Sequence, residues 1–177
     1  PKPDGGLRPI VLFPTLVRVW MRARIDLSRQ WEAAHSVEGC HRGPGQGGTQ
    51  RASWLAAFRS EMAGRDKLFF GQSLLDLVKA FGKIPHQFQL AAAKKHGYNL
   101  WVLRMSLQAY RAPRTVMVDG ACSSLKQATL GITSGSGFAP QELACLLMDI
   151  CDSVRSFSPK VDLTESVDLS TLGPAAP

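Results

Sequence analysis

Residues 73–86 read SLLDLVKAFGKIPH, and the one carboxylate of that run, Asp76, restricts the fold more than any other side chain in the chain. Leucines and a valine flank it, so the segment has the composition of a strand ready for burial. An ionised carboxylate removed from water without a partner costs several kcal/mol or more. The fold must therefore give Asp76 either a local group to cap or a cation to meet, such as a metal ion. Every other segment has to be arranged around that requirement.

The flanking sequence supplies both helices and strands. PKPDGGLRPIVLF opens with the turn residues Pro3, Asp4, Gly5 and Gly6, has basic residues on either side of them, and continues into a strand-like apolar run. Over residues 15–34, Leu16, Val19, Trp20, Ala23 and Leu27 recur at three- and four-residue spacing, which predicts a helix with that stripe on its apolar side. Five glycines between Gly39 and Gly48 mark a loop, and their order is not that of a P-loop. A second helix is predicted over residues 49–63, with Trp54, Leu55 and Phe58 on one side, followed by a strand from Lys67 to near Asp76. After Pro85 a helix runs to Lys95, with Gly97 as its stop. Asn99 caps the next helix, which Pro113 ends. Residues 114–118 and 123–130 form a hairpin around Asp119-Gly120, a pair suited to a turn with positive φ. GITSGSGFAP then leads into a helix over residues 141–154, and a last strand is predicted over residues 161–169.

Composition bounds the function classes. The chain has 177 residues, 45% of them hydrophobic and 20% charged, enough for one domain with a real core. The formal net charge of +7 favours a phosphate-rich partner. Cys40, Cys122, Cys145 and Cys151 form no C-x-x-C pair, which points to reduced thiols in an intracellular protein rather than a zinc site. No apolar run approaches the roughly 18–20 residues of a membrane span, and no signal peptide opens the chain, so no membrane partner is expected. The compartment implied is the nucleus or the cytoplasm. The first residue is Pro1, as in a piece of something longer.

Three segments, PKPDGGLRPI, LDLVKAFGKIPH and VMVDGACSSLKQATLGITSGSGFAP, stand in an order that resembles reverse transcriptases, particularly those of non-LTR retroelements and group II introns. The resemblance covers nearly the whole chain. It implies an α+β fold: the fingers and palm of a right-hand polymerase, with a small antiparallel sheet packed on helices and the thumb missing. Residues 1–70 would be fingers-like, residues 71–172 palm-like and residues 173–177 a tail. The implied activity is RNA-directed DNA polymerisation, with an RNA template, a DNA primer and deoxynucleoside triphosphates as partners.

The same resemblance assigns roles. Lys2 and Arg8 would grip the incoming triphosphate, Arg through a planar fork and Lys as a point charge. Asp76 and Asp168 would hold Mg²⁺, or Mn²⁺ in its place, with the backbone carbonyl of Leu77 as a further ligand. Phe81 would lie under the sugar and exclude a 2′-hydroxyl. Ser134 and Gly135, in the loop that usually reads G-x-x-Q-G-x-x-x-S-P, would help to position nucleotide and template. Ser134 stands where the family has Gln, and Ala139 where it has Ser. At the second acid site the family has an aromatic-x-Asp-Asp turn, and this chain has Ser166, Val167, Asp168 and Leu169. Two alternatives therefore accompany the polymerase reading. One is an inactive remnant that keeps the fold and weak nucleic-acid binding; the other is a basic α+β binding domain unrelated to polymerases.

Overall fold

The computed structural model describes residues 11–35, 48–72, 77 and 79–157. In chain order these form helices α1 (Thr15–Ala34) and α2 (Gly48–Arg65), a 3-10 turn (Ala80–Lys83), and helices α3 (His86–Lys95) and α4 (Leu100–Arg111). Strands β1 (Met117–Val118) and β2 (Ala121–Cys122) and helix α5 (Ala139–Phe157) follow. Among the described residues the fold is α+β and dominated by helix, with one two-stranded antiparallel sheet. The described residues group into two compact units, one of residues 11–34 and 79–148, the other of residues 35, 48–72, 77 and 149–157. No helix among them is long and apolar enough to cross a membrane.

The first unit is built on α1, α3, α4 and the first half of α5. Asn99 starts α4 by accepting hydrogen bonds from the N–H groups of Trp101 and Val102 at 3.0 and 3.1 Å, two donors that the helix itself leaves without acceptors. Val102, Leu103 and Leu107 of α4 then bury their side chains together with Ala92 and Ala93 of α3 and Leu143 of α5. α1 joins this core through Met21, Ser28 and Trp31. The Ser28 and Tyr98 hydroxyls are 2.9 Å apart, and the Trp31 indole N–H donates to the His96 carbonyl at 2.8 Å. Trp20 meets the ring of Phe138 edge-on at 5.5 Å.

This packing corrects the predicted apolar stripe of α1. Leu16 (80% exposed), Val19 and Ala23 face outward, and the buried line passes through Met21, Ser28 and Trp31. The apolar residues of α1 surround more than one side of the helix, so periodicity alone leaves its orientation open; the Trp31 and Tyr98 rings, meeting at 5.1 Å, fix it. Residues 11–13, predicted to be strand-like, join no ladder, and Phe13 instead buries its ring near Tyr110.

The hairpin forms where Asp-Gly places it. Met117 pairs with Cys122 and Val118 with Ala121, and Asp119 and Gly120 both have positive φ (49° and 80°), as a type I′ turn requires. The expected packing of the sheet on helices is not found: all four strand residues are exposed. Two-residue strands present too little apolar surface to hold a helix against them.

The predicted strand after α2 does not form over its described part either. Residues 68–72 have no ladder partner, and the run is used to cap α2. The Leu68 N–H donates to the Ala63 carbonyl at 2.8 Å and the Lys67 N–H to the Gly64 carbonyl at 3.3 Å, the two bonds of a Schellman cap. Lys67 takes the left-handed position at φ 53°. α3 ends in the same way, with the Tyr98 N–H on the Ala93 carbonyl at 2.9 Å, but there Gly97 takes the left-handed position at φ 65°. The predicted strand over residues 161–169 lies outside the described residues.

The two caps generate opposite expectations. Lys67→Gly removes the left-handed penalty of a residue with a Cβ and raises unfolding stability by about 1 kcal/mol. A Cβ added at Gly97 would meet nothing within 4 Å, so Gly97→Ala costs a similar amount through backbone conformation alone. Urea denaturation followed by circular dichroism measures both changes.

Candidate functional site

The site is built where the turn after residue 79 meets the loop that enters α5. The Ile132 N–H donates to the Phe81 carbonyl and the Gly131 N–H to the Ile84 carbonyl, each at 2.7 Å. Pro85 and Leu130 form an antiparallel bridge beside them. The approach is close enough that a Cβ on Gly131 would lie 3.0 Å from both the Phe81 and Gly82 carbonyl oxygens, and Gly131 has φ +91°. Only glycine fits this position without moving one of the two segments.

Side chains lock the same junction. The Arg111 Nε–H donates to His86 Nδ1 at 3.0 Å, which leaves the ring hydrogen on Nε2 to donate to the Gly131 carbonyl at 2.9 Å. Arg114 donates through Nη1 to Thr133 Oγ1 at 3.3 Å and through Nη2 to the Tyr110 carbonyl. His86 is buried although the turn before it is partly exposed.

Behind the loop lies a buried polar cluster centred on Glu142, which is 1% exposed. Its Oε2 accepts from the Tyr110 hydroxyl at 2.7 Å and from the Gln89 side-chain N–H at 2.9 Å. The Tyr110 oxygen is also 2.7 Å from Ser136 Oγ. A phenol has one hydrogen, so Tyr110 donates to the ionised carboxylate and accepts from Ser136. Ser136 Oγ in turn accepts from the Phe138 N–H at 3.2 Å. The loop is thereby tied to α3, α4 and α5 at once.

Burial pushes the Glu142 carboxyl up to about 7 from an ordinary 4.5; the Tyr110, Ser106 and Gln89 side chains oppose that rise without cancelling it. Glu142 Oε1 and Ser106 Oγ make no hydrogen bond of normal geometry among the described residues, so Ser106 acts on the carboxyl by proximity. Oε1 is the oxygen left to carry a proton, since Oε2 accepts both bonds. Burial, and then the Glu142 carboxylate, push the Tyr110 phenol well above its usual value.

The residues proposed from sequence are placed unequally. The Phe81 backbone touches the loop that carries Ser134 and Gly135, and the Phe81 ring is partly exposed. Gly135 has φ +90°, and a Cβ there would lie 3.1 Å from the Val11 carbonyl. Leu77 belongs to the other unit, with a 51% exposed side chain. Lys2, Arg8, Asp76 and Asp168 lie outside the described residues. Among the described residues no three of His, Cys, Asp and Glu come together as metal donors. Cys122 is exposed, and Cys145 and Cys151 are buried.

Comparison with models of known protein families, with curated proteins and with solved structures gave no match to this chain. Sequence reasoning did not single out His86, Tyr110, Arg111 or Glu142. A signal for Glu142 existed: it is the one acid in the first turn of α5, next to the apolar run Leu143–Met148 and directly after the Gly/Ser loop.

Glu142 makes stability depend on pH in a defined direction. Between about pH 4.5 and 7 the folded chain holds a proton that the unfolded chain has lost. The stabilisation is complete below about 4.5 and is lost as pH rises through 7, with a size on the order of 3 kcal/mol. Glu142→Gln keeps a neutral acceptor and donor in place. The variant is expected to match the parent chain at pH 4.5 and to exceed it by about 1–3 kcal/mol at pH 8, read from urea midpoints at the two values. Gly131→Ala is expected to cost more than about 2 kcal/mol in the same assay, because strain and a backbone clash add.

Proposed function

We propose that this chain is part of an RNA-directed DNA polymerase of the retroelement type, with residues 1–70 fingers-like and residues 71–172 palm-like. The observation that carries this reading is the docking of Phe81–Ile84 on Gly131–Ile132 through paired backbone hydrogen bonds. The two segments are distant in sequence, and the resemblance to reverse transcriptases assigns both to one nucleotide site. The charge distribution also supports it. The described residues of the first unit carry twelve Lys and Arg against four Asp and Glu, one of them the buried Glu142, a balance suited to a polyphosphate partner.

On this reading the reaction is in-line attack of a primer 3′-hydroxyl on the α-phosphate of a deoxynucleoside triphosphate, releasing pyrophosphate. Lys2 and Arg8 hold the triphosphate. The partly exposed ring of Phe81 lies under the sugar and rejects a 2′-hydroxyl. Ser134 and Gly135 place backbone close to the nucleotide. Asp76, Asp168 and the Leu77 carbonyl are hard oxygen donors, the set that Mg²⁺ or Mn²⁺ takes. Such ions, when bound, would lower the charge on the phosphates and favour the ionised 3′-oxygen.

A second reading, an inactive remnant with weak nucleic-acid binding, is favoured by Ser166 and Leu169, which replace the aromatic residue and the second acid of the family's turn. Primer extension on an RNA template with a DNA primer, Mg²⁺ and deoxynucleotides separates the two. The polymerase reading expects extension, reduced to background by Asp76→Asn. Absence of extension by the parent chain, alongside salt-sensitive RNA binding, would leave the remnant.

A further inference from the structure

We propose that Arg111, Arg114 and Lys126 form a phosphate-binding site beside the loop at residues 131–134, one that takes the backbone of a nucleic acid or the phosphates of a nucleotide. None of the three belongs to the set of residues assigned to the nucleotide above. They converge from the end of α4, the segment after it and the returning arm of the hairpin.

The geometry leaves a local excess of positive charge. Arg114 and Lys126 stand directly opposite each other, with the Arg114 N–H on the Lys126 carbonyl at 2.9 Å and the Lys126 N–H on the Arg114 carbonyl at 2.7 Å. Residues paired in this way project their side chains to one face, with Cα atoms about 5.5 Å apart. Like charges so placed destabilise a ladder unless an anion lies between them. Among the described residues no carboxylate pairs with Arg111, Arg114 or Lys126, whereas Arg29 pairs with Asp26 and Arg65 with Asp66.

Neutral acceptors aim the arginines without cancelling their charge. His86 Nδ1 holds Arg111 by Nε, so both terminal nitrogens of an exposed guanidinium remain for a ligand. Thr133 Oγ1 and the Tyr110 carbonyl hold Arg114. A guanidinium already oriented loses less freedom when it takes two phosphate oxygens than a free one does. Lys126 is exposed and its side chain makes no hydrogen bond among the described residues. The His86 bond to the Gly131 carbonyl makes the same ring that aims Arg111 a support of the loop.

Binding is tested apart from primer extension, so a chain that fails to polymerise can still pass or fail. Fluorescence anisotropy of a labelled single-stranded RNA is measured with the full chain over a range of salt concentrations. Lys126→Gln is expected to weaken binding roughly three- to ten-fold and to reduce the slope of log K against log salt by about one. Lys94→Gln, an equal loss of charge at an exposed position on α3, is expected to change both far less. Arg111→Gln should weaken binding as well, with its melting curve recorded because His86 loses a donor. Displacement of the RNA from the parent chain by deoxynucleoside triphosphate, lost in Lys126→Gln, assigns the site to nucleotide phosphates; loss of RNA affinity without such displacement assigns it to the backbone. Equal effects of Lys126→Gln and Lys94→Gln, whether large or absent, overturn the proposal.

Discussion

A carboxyl group removed from solvent sits where α3, α4, α5 and the loop before α5 meet, and the first unit is organised around satisfying it. Glu142 offers one oxygen to Tyr110 and Gln89, and Tyr110 passes the connection on to Ser136. Each contact comes from a different segment, so none can shift without leaving a buried polar atom unpaired, at a cost of about 1–3 kcal/mol. An apolar core of equal size would tolerate sliding; a hydrogen-bonded cluster selects one register. Burial raises the carboxyl to about 7, against the opposing effect of the same hydrogen bonds that tie it to the loop.

That anchoring explains how the loop can have so many small residues and still be held in one place. Gly131 is pressed against the Phe81 and Gly82 carbonyls, Thr133 takes a bond from Arg114, and Ser136 reaches Tyr110. The exposed part, around Ser134 and Gly135, is held at both ends. A backbone that approaches a ligand closely needs small side chains, and small side chains give little packing of their own. The buried network supplies the rigidity that the loop sequence lacks. On the outer side the same junction gathers Arg111 and Arg114, so one arrangement of helices fixes both a close-approach loop and a basic rim.

Local chemistry was well read from sequence. α1 has the span predicted for it, Asn99 caps α4, Gly97 stops α3, and Asp119-Gly120 turns the hairpin. Each of these depends on a residue and its near neighbours in the chain. The errors came where distant partners decide. Leu16 and Val19 fall in a helical stripe, yet the line buried on α1 lies to one side of it, through Met21, Ser28 and Trp31. Residues 68–70 have the apolar character of a strand, yet among the described residues no strand pairs with them, and Leu68 closes the end of α2 instead.

The candidate site divides along the same line. Residue types were legible in the sequence: an acid in apolar surroundings at Asp76, a Gly/Ser loop opening a helix, and an excess of basic residues. The sequence also marked Phe81 and the loop with Ser134 and Gly135 as parts of one site by resemblance, before any contact between them was known. Tertiary contacts were needed to show that Phe81 bonds to Ile132 and Ile84 to Gly131, that His86 spans Arg111 and the loop, and that Glu142 is the carboxyl buried among helices. The reason is physical. Caps and turns are settled within a few residues, whereas burial, the pKa of an acid and the meeting of like charges depend on segments 12 to 53 positions apart.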